Sequence, residues 1–170
     1  MASLMEELIS VLEQEDAIYR ELIPIAEKKT RVIIDNDLAA LEQITEREQE
    51  SIQQITSLER KRQEVVTNMG TVINRNPATL DLKTLVNLLD KQPEDQRKLS
   101  LVADRLSKSI HRLVDVNNQN QQLIHQSMEM IDFNINLMKS AMSAPGNNYT
   151  KNASEAGAAV VNNASFDAKQ

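Results

Sequence analysis

The stretch Val32–Ile44, VIIDNDLAALEQI, decides how this chain folds. Apolar residues on both sides follow helical spacing, and Asp35, Asn36 and Asp37 stand between them. Asp and Asn side chains bond nearby backbone groups in turns, and an Asp just before a run of helix formers is a start signal. One helix therefore ends near residue 34 and the next begins at once. A connection this short predicts that the two lie antiparallel.

Upstream, the spacing predicts a first helix over 3–34, with Ser3 as its cap and Glu6 and Glu7 near its positive end. Leu4, Leu8, Val11, Ile18, Leu22 and Ile25 form one row, with Glu15 inside it. Met5, Ile9, Leu12, Tyr19, Ile23, Ala26 and Ile33 form a second row beside it. Together they make one wide apolar face. Pro24 lacks a backbone donor and predicts a bend there.

Downstream, the second helix is expected to reach about Met69. Leu38, Leu41, Ile44, Ile52, Ile55, Leu58, Val65 and Val66 are its expected inner face, interrupted by Glu48, Glu59 and Arg62. Those three, with Glu15, are expected to pair between helices. Gly70 and Asn74–Pro77 read as its end. LDLKTLVNLL, 80–89, predicts a short connecting helix capped by Thr79. Pro93, followed by Glu94 and Asp95, suits the first turn of a third helix that runs to about Met142.

The first half of this third helix carries one seam, Leu99, Val102, Leu106, Leu113 and Val116, with Ile110 beside it. Its continuation, Asn120, Leu123, Ser127, Met130, Asn134, Leu137 and Ala141, becomes half polar. A second row then opens: Ile124, Met128, Ile131, Ile135, Met138 and Met142, at steps of 4, 3, 4, 3 and 4. Four of the chain's seven methionines lie in this stretch. Such a row serves equally as core or as an adaptable surface for partner helices. Asn117, Asn120 and Asn134 in the seams read either as register-fixing polar residues or as marks of a groove that a partner opens.

The sequence is therefore that of an all-α protein. The expected architecture is an elongated antiparallel bundle of three long helices, with a short connecting helix and a flexible C-terminal tail. Residues 1–142 make the helical domain. Residues 143–170 turn rich in Ala and Asn and lose helical periodicity, as weakly ordered tails do. Gly and Pro total only seven, and aromatic residues are almost absent, so sheets lack both turn and strand material.

Chemistry finds no footing in the sequence. His111 and His125 share a face but stand about 21 Å apart along a helix axis, too far to hold one metal. The lone Gly70 is no phosphate loop, and there is no cysteine. No enzyme activity, cofactor or metal is expected. A net charge of −6, with only short basic runs, argues against nucleic acid as a partner. The acidic, amphipathic start is unlike a signal peptide, and no apolar run approaches the roughly 20 residues of a membrane span. Direct membrane insertion is not expected, and the cytoplasm is the expected compartment.

Four quoted patterns, in order, resemble the FlgN family of flagellar export chaperones. They are Leu12-x-x-Glu15…Tyr19-x-x-Leu22, then Asp37-Leu38-x-x-Leu41-x-x-Ile44-x-x-x-Glu48. Next come Ile55-x-x-Leu58-Glu59-x-x-Arg62 and Asn117-x-x-Asn120-x-x-Leu123-Ile124. The resemblance spans roughly residues 4–142. It implies a cytoplasmic chaperone that binds the C-terminal amphipathic region of hook–filament junction proteins, FlgK- and FlgL-like. Such a chaperone prevents premature assembly and aids delivery to the export gate protein FlhA. On that reading the client helix lies on Leu123, Ile124, Met128, Ile131, Ile135, Met138 and Met142, and Tyr149 is a candidate gate contact. The alternatives are a chaperone for other cargo such as flagellin, or a structural homodimeric coiled coil closed by the same row.

Overall fold

The computed structural model describes residues 2–143, and all regular secondary structure among them is helical. Four α-helices follow in order: α1, Ala2–Ile34; α2, Leu38–Ile73; α3, Leu82–Leu88; and α4, Pro93–Ser143. A single 3-10 turn, Pro77–Thr79, precedes α3. The expectations for Tyr149 and for the tail after Ser143 fall outside the described residues.

The 35–37 break is built as the sequence suggested, and its chemistry is specific. Asn36 takes a left-handed conformation, φ 54°. Its N–H donates to the Ile33 carbonyl at 3.2 Å, and the Asp37 N–H donates to the Val32 carbonyl at 3.1 Å. That pairing satisfies carbonyls that a helix end leaves open. Asp37 Oδ1 then accepts from the Ala40 N–H at 3.0 Å and caps α2. The same device ends α2 at Asn74, φ 51°, where the Arg75 N–H donates to the Gly70 carbonyl at 2.9 Å.

Several boundary expectations are corrected. Gly70 does not end α2, which continues to Ile73. A Cβ on Gly70 would stand 2.9 Å from the Arg75 carbonyl oxygen and 3.0 Å from Pro77 Cγ. The glycine is therefore a packing site for the returning chain. Thr79 lies in the 3-10 turn, and the cap of α3 is Asp81, whose Oδ1 accepts from the Thr84 N–H at 2.7 Å. Hydrogen bonding to Thr84 holds the Asp81 carboxyl below its ordinary 3.8. Ser3 lies inside α1, which begins at Ala2. Helix α1 is unbroken through Pro24, which sits on its exposed side.

Ion pairs define the helix directions. Along α1, Glu15 pairs with Arg62 and Lys29 with Glu48, so moving forward on α1 moves backward on α2. Asp16 bonds Ser109 and Ala26 bonds Asn120, so α4 advances with α1. Helices α1 and α2 are antiparallel, while α4 runs parallel to α1. Both flanking helices pack on α1, and α2 and α4 do not pack on each other along their length.

The core has two parts. The larger one joins Met5, Leu8 and Leu12 of α1, Val65, Val66 and Met69 of α2, Leu85 of α3 and Leu99, Val102 and Leu106 of α4. Each fully buried aliphatic side chain there contributes about 1.5–3 kcal/mol relative to exposure. The smaller part, Leu22, Ala26, Ile55, Leu113 and Val116, lies nearer the 35–37 turn and has no fourth helical element in it. Two residues of the expected α2 inner face, Leu38 and Ile52, are exposed instead. They face the turn and the space between α2 and α4, where no described helix covers them.

Candidate binding surface

Two consecutive acids on α1 orient the flanking helices. Successive helical residues point about 100° apart, so Glu15 and Asp16 reach different neighbours. Arg62 Nε of α2 donates to Glu15 Oε1 at 3.2 Å. Ser109 Oγ of α4 donates to Asp16 Oδ1 at 2.8 Å. Asp16 Oδ2 makes no hydrogen bond and is held by the charges of Arg20, at 3.1 Å, and Arg105, at 3.8 Å. Farther along, Asn120 is buried between α1 and α4. Its Nδ2 donates to the Ala26 carbonyl at 2.9 Å, and its Oδ1 accepts from Thr30 Oγ1 at 2.6 Å. Buried and bonded to α1, this asparagine fits the register-fixing reading.

Since Asn120 sits level with Ala26 and Thr30, α1 runs out a few residues beyond. Helix α4 does not. From Met128 to Ser143 every residue is exposed, an overhang of about 16 residues or roughly 24 Å. The expected client row lies mostly on it. Leu123 and Ile124 are half-buried at its base. Met128 is 60% exposed, Ile131 52%, Ile135 44%, Met138 66% and Met142 85%. As core, this row would be covered, and no described part of the chain covers it.

The overhang carries more than the expected row. Met130, Phe133 and Leu137 are exposed as well. At about 100° per residue, the apolar positions span roughly 220° of the helix circumference. Glu129, Asp132, Asn136, Lys139, Ser140 and Ser143 form the remaining polar strip. Met130, Asn134, Leu137 and Ala141 continue the direction that faces α1 lower down, while Met128, Ile131, Ile135 and Met142 continue a different one. At the base, Ile34 and Leu38 add exposed apolar surface beside Met130 and Ile131, around a recess of about 570 Å3. The sequence reading missed Ile34 and Leu38, because residues flanking a turn carry the same periodicity as core residues.

A groove lies lower down between α2 and α4, with a volume of about 500 Å3. Tyr19 and Leu22 of α1 form its floor, Ile52 and Ile55 one wall, and Leu113 and Ile124 the other. Its charged groups are mostly engaged. Lys29 Nζ donates to Glu48 Oε2 at 2.7 Å. Arg62 is shared between Glu15, at 3.2 Å, and Glu59, at 3.7 Å. Burial pushes the Glu15 carboxyl above its ordinary 4.5, the Arg62 guanidinium pulls it back, and Glu59 adds to the rise. Burial and the same two carboxylates raise the Tyr19 hydroxyl above 10.0. His111 and His125 are both exposed on α4, with His125 Nε2 3.4 Å from Glu129. Among the described residues, no group of three or more His, Cys, Asp or Glu side chains could hold a metal ion. Nor is any described helix long and apolar enough to cross a membrane.

An open apolar groove and a bare apolar helix end, framed by structural ion pairs, give this helical module apolar surface on which a further helix can pack. A family model described as FlgN protein matches residues 1–157, nearly the whole chain, and the protein belongs to the FlgN family. This is a family of flagellar export chaperones, not of enzymes. No curated protein and no solved structure matches the chain.

Proposed function

We propose that this chaperone binds the C-terminal amphipathic region of hook–filament junction proteins, FlgK- and FlgL-like, in the cytoplasm. Binding holds that region back from premature helical assembly, and the complex is delivered to the export gate protein FlhA. The observation that carries this reading is the α4 overhang. Ile131, Ile135 and the methionines of the same row stand in solvent on a continuous helix, with only Ile34 and Leu38 near the base of the row. Exposed apolar rows of this extent on one helix mark an interaction site. Helix-in-groove recognition uses apolar anchors at such spacings, and methionine side chains repack to accept more than one client sequence. Release at the gate requires moderate affinity, which an open overhang suits better than a closed pocket.

Residues 143–170 and Tyr149 belong to this proposal as the delivery segment. Tyr149→Ala is expected to weaken gate binding while client binding stays intact; unchanged gate binding and export would remove that role. The client assignment is tested by titrating synthetic C-terminal segments of a FlgK-like protein, a FlgL-like protein and flagellin from the same organism. Saturable binding of the junction segments, with flagellin at least tenfold weaker, is expected. Preference for the flagellin segment would move the protein to another cargo. A twofold molar mass without any client, lost on adding none of the segments, would make it a structural homodimer.

A further inference from the structure

We infer that the client helix does not stop at the overhang but runs down α4 into the groove between α2 and α4, as the missing fourth member of a four-helix bundle. The inference rests on the client assignment above and extends it to a second helix of the chaperone, α2.

The architecture sets the vacancy. In a four-helix bundle each helix packs on two neighbours and faces a third across the centre. Here α1 packs on both α2 and α4, while α2 and α4 stay apart. Among the described residues the position between them is filled at one end only. There α3 and its approach supply Leu80, Leu85 and Leu89 to the larger core. Above Leu82 the position empties, and the groove begins, lined by Leu82, Leu106 and Ile110 at its lower end. It continues past Tyr19 and Glu59, which line both sections, to Ile124. What fits this position is shown by α3 itself, a short amphipathic helix with Leu85 turned inward.

The faces are continuous. Ile110, Leu113, Asn117, Gln121 and Ile124 of the groove wall follow steps of 3, 4, 4 and 3. The next steps, 4, 3 and 4, lead to Met128, Ile131 and Ile135 on the overhang. Residues at such spacing lie on one side of a helix. From Ile110 to Met142 this face is about 48 Å long, enough for a single helix of roughly 30 residues. Overhang and groove are thus one track.

Charge selects the occupant. Midway along the track Glu15 and Glu59 share the single guanidinium of Arg62, and Lys29 is spent on Glu48. One carboxylate is left in excess, and Glu59, the more exposed of the two at 56%, is open to a partner. The partner is therefore an amphipathic helix with an apolar stripe and a Lys or Arg placed to meet Glu59.

The test uses the full chain and a synthetic segment of about 40 C-terminal residues of a FlgK-like protein, long enough to cover the track at about 1.5 Å per residue. Ile52, on the α2 wall, is 56% exposed, so Ile52→Asp leaves the fold and melting temperature near wild type. Its expected effect is at least tenfold weaker binding. Because the chain has no cysteine, Gln121→Cys can carry a single photo-cross-linker, and it is expected to capture the segment. If Ile131→Asp with Ile135→Asp abolishes binding while Ile52→Asp binds normally and the Gln121 probe captures nothing, the helix ends at the overhang. The client assignment then survives and this inference falls. If binding ignores all of these changes, both fall. Where Ile52→Asp and the probe disagree, capture at Gln121 decides for the track and its absence against it.

Discussion

Asn120 of α4 donates through Nδ2 to the Ala26 carbonyl of α1 at 2.9 Å, while its Oδ1 takes the Thr30 hydroxyl at 2.6 Å. These bonds join the two parallel helices about one turn before α1 ends. This alignment, with the lengths of the two helices, leaves the end of α4 projecting beyond α1. Asn120→Ala should cost about 1–2 kcal/mol through the lost pair of buried hydrogen bonds. Asn120→Asp should cost more, because a buried carboxylate would face the Ala26 carbonyl. Thermal melts of both variants check the order; an alanine variant as stable as wild type would mean that apolar packing alone holds the register.

Glu15 gives the fold a pH dependence of unusual sign for a paired carboxylate. Its folded pKa is raised, chiefly by burial, so the folded chain holds this proton more tightly than the unfolded chain. The contribution is complete below the ordinary 4.5 and is lost as pH rises through the folded value. Asp81 works in the opposite direction, but only as pH falls through a value below 3.8. Between 4.5 and neutrality, Glu15→Gln should flatten the pH dependence of stability and lose little at pH 7, since the amide oxygen still accepts from Arg62. Denaturant melts at several pH values measure this. An unchanged slope would assign it to other groups.

Gly70→Ala should destabilise by about 1–3 kcal/mol, although alanine is the better helix former. The added Cβ would meet the Arg75 carbonyl oxygen at 2.9 Å. That backbone is held by the Arg75 N–H bond to the Gly70 carbonyl, so it cannot move without breaking the turn. A variant melting at or above wild type would show that the turn gives way.

Much of this was legible in the sequence. The 35–37 turn, the helix order and the first-half seam of α4 are local in origin: turn chemistry and period fix them. Leu99, Val102, Leu106, Leu113 and Val116 are all buried as their spacing implies. Gly70 was misread because a glycine near a helix end usually marks the end, whereas here it answers a close approach of chain from residues 75–77. Ile52 and Leu38 were misread because period reports a face, not whether anything covers it. Asp16 and Ser109 escaped notice since a buried acid and a serine on an apolar face have no spacing signature; their pairing spans the chain. The candidate row itself was legible as a row. Its exposure follows from α4 outrunning α1, a tertiary relation that no local pattern records.

The central claim is that the α4 overhang receives the client and is not core. Calorimetric titration with the C-terminal segment of a FlgK-like protein, beside thermal melts, measures it in one pair of variants. Ile131→Asp with Ile135→Asp leaves both carboxylates in water in the free protein but buries them unpaired in the complex. The expected result is loss of measurable binding with helicity and melting temperature close to wild type. Leu106→Asp, placed in the larger core, should instead damage the fold. An Ile131/Ile135 variant that unfolds as badly as Leu106→Asp, or one that stays folded and binds the segment as wild type does, would contradict the account.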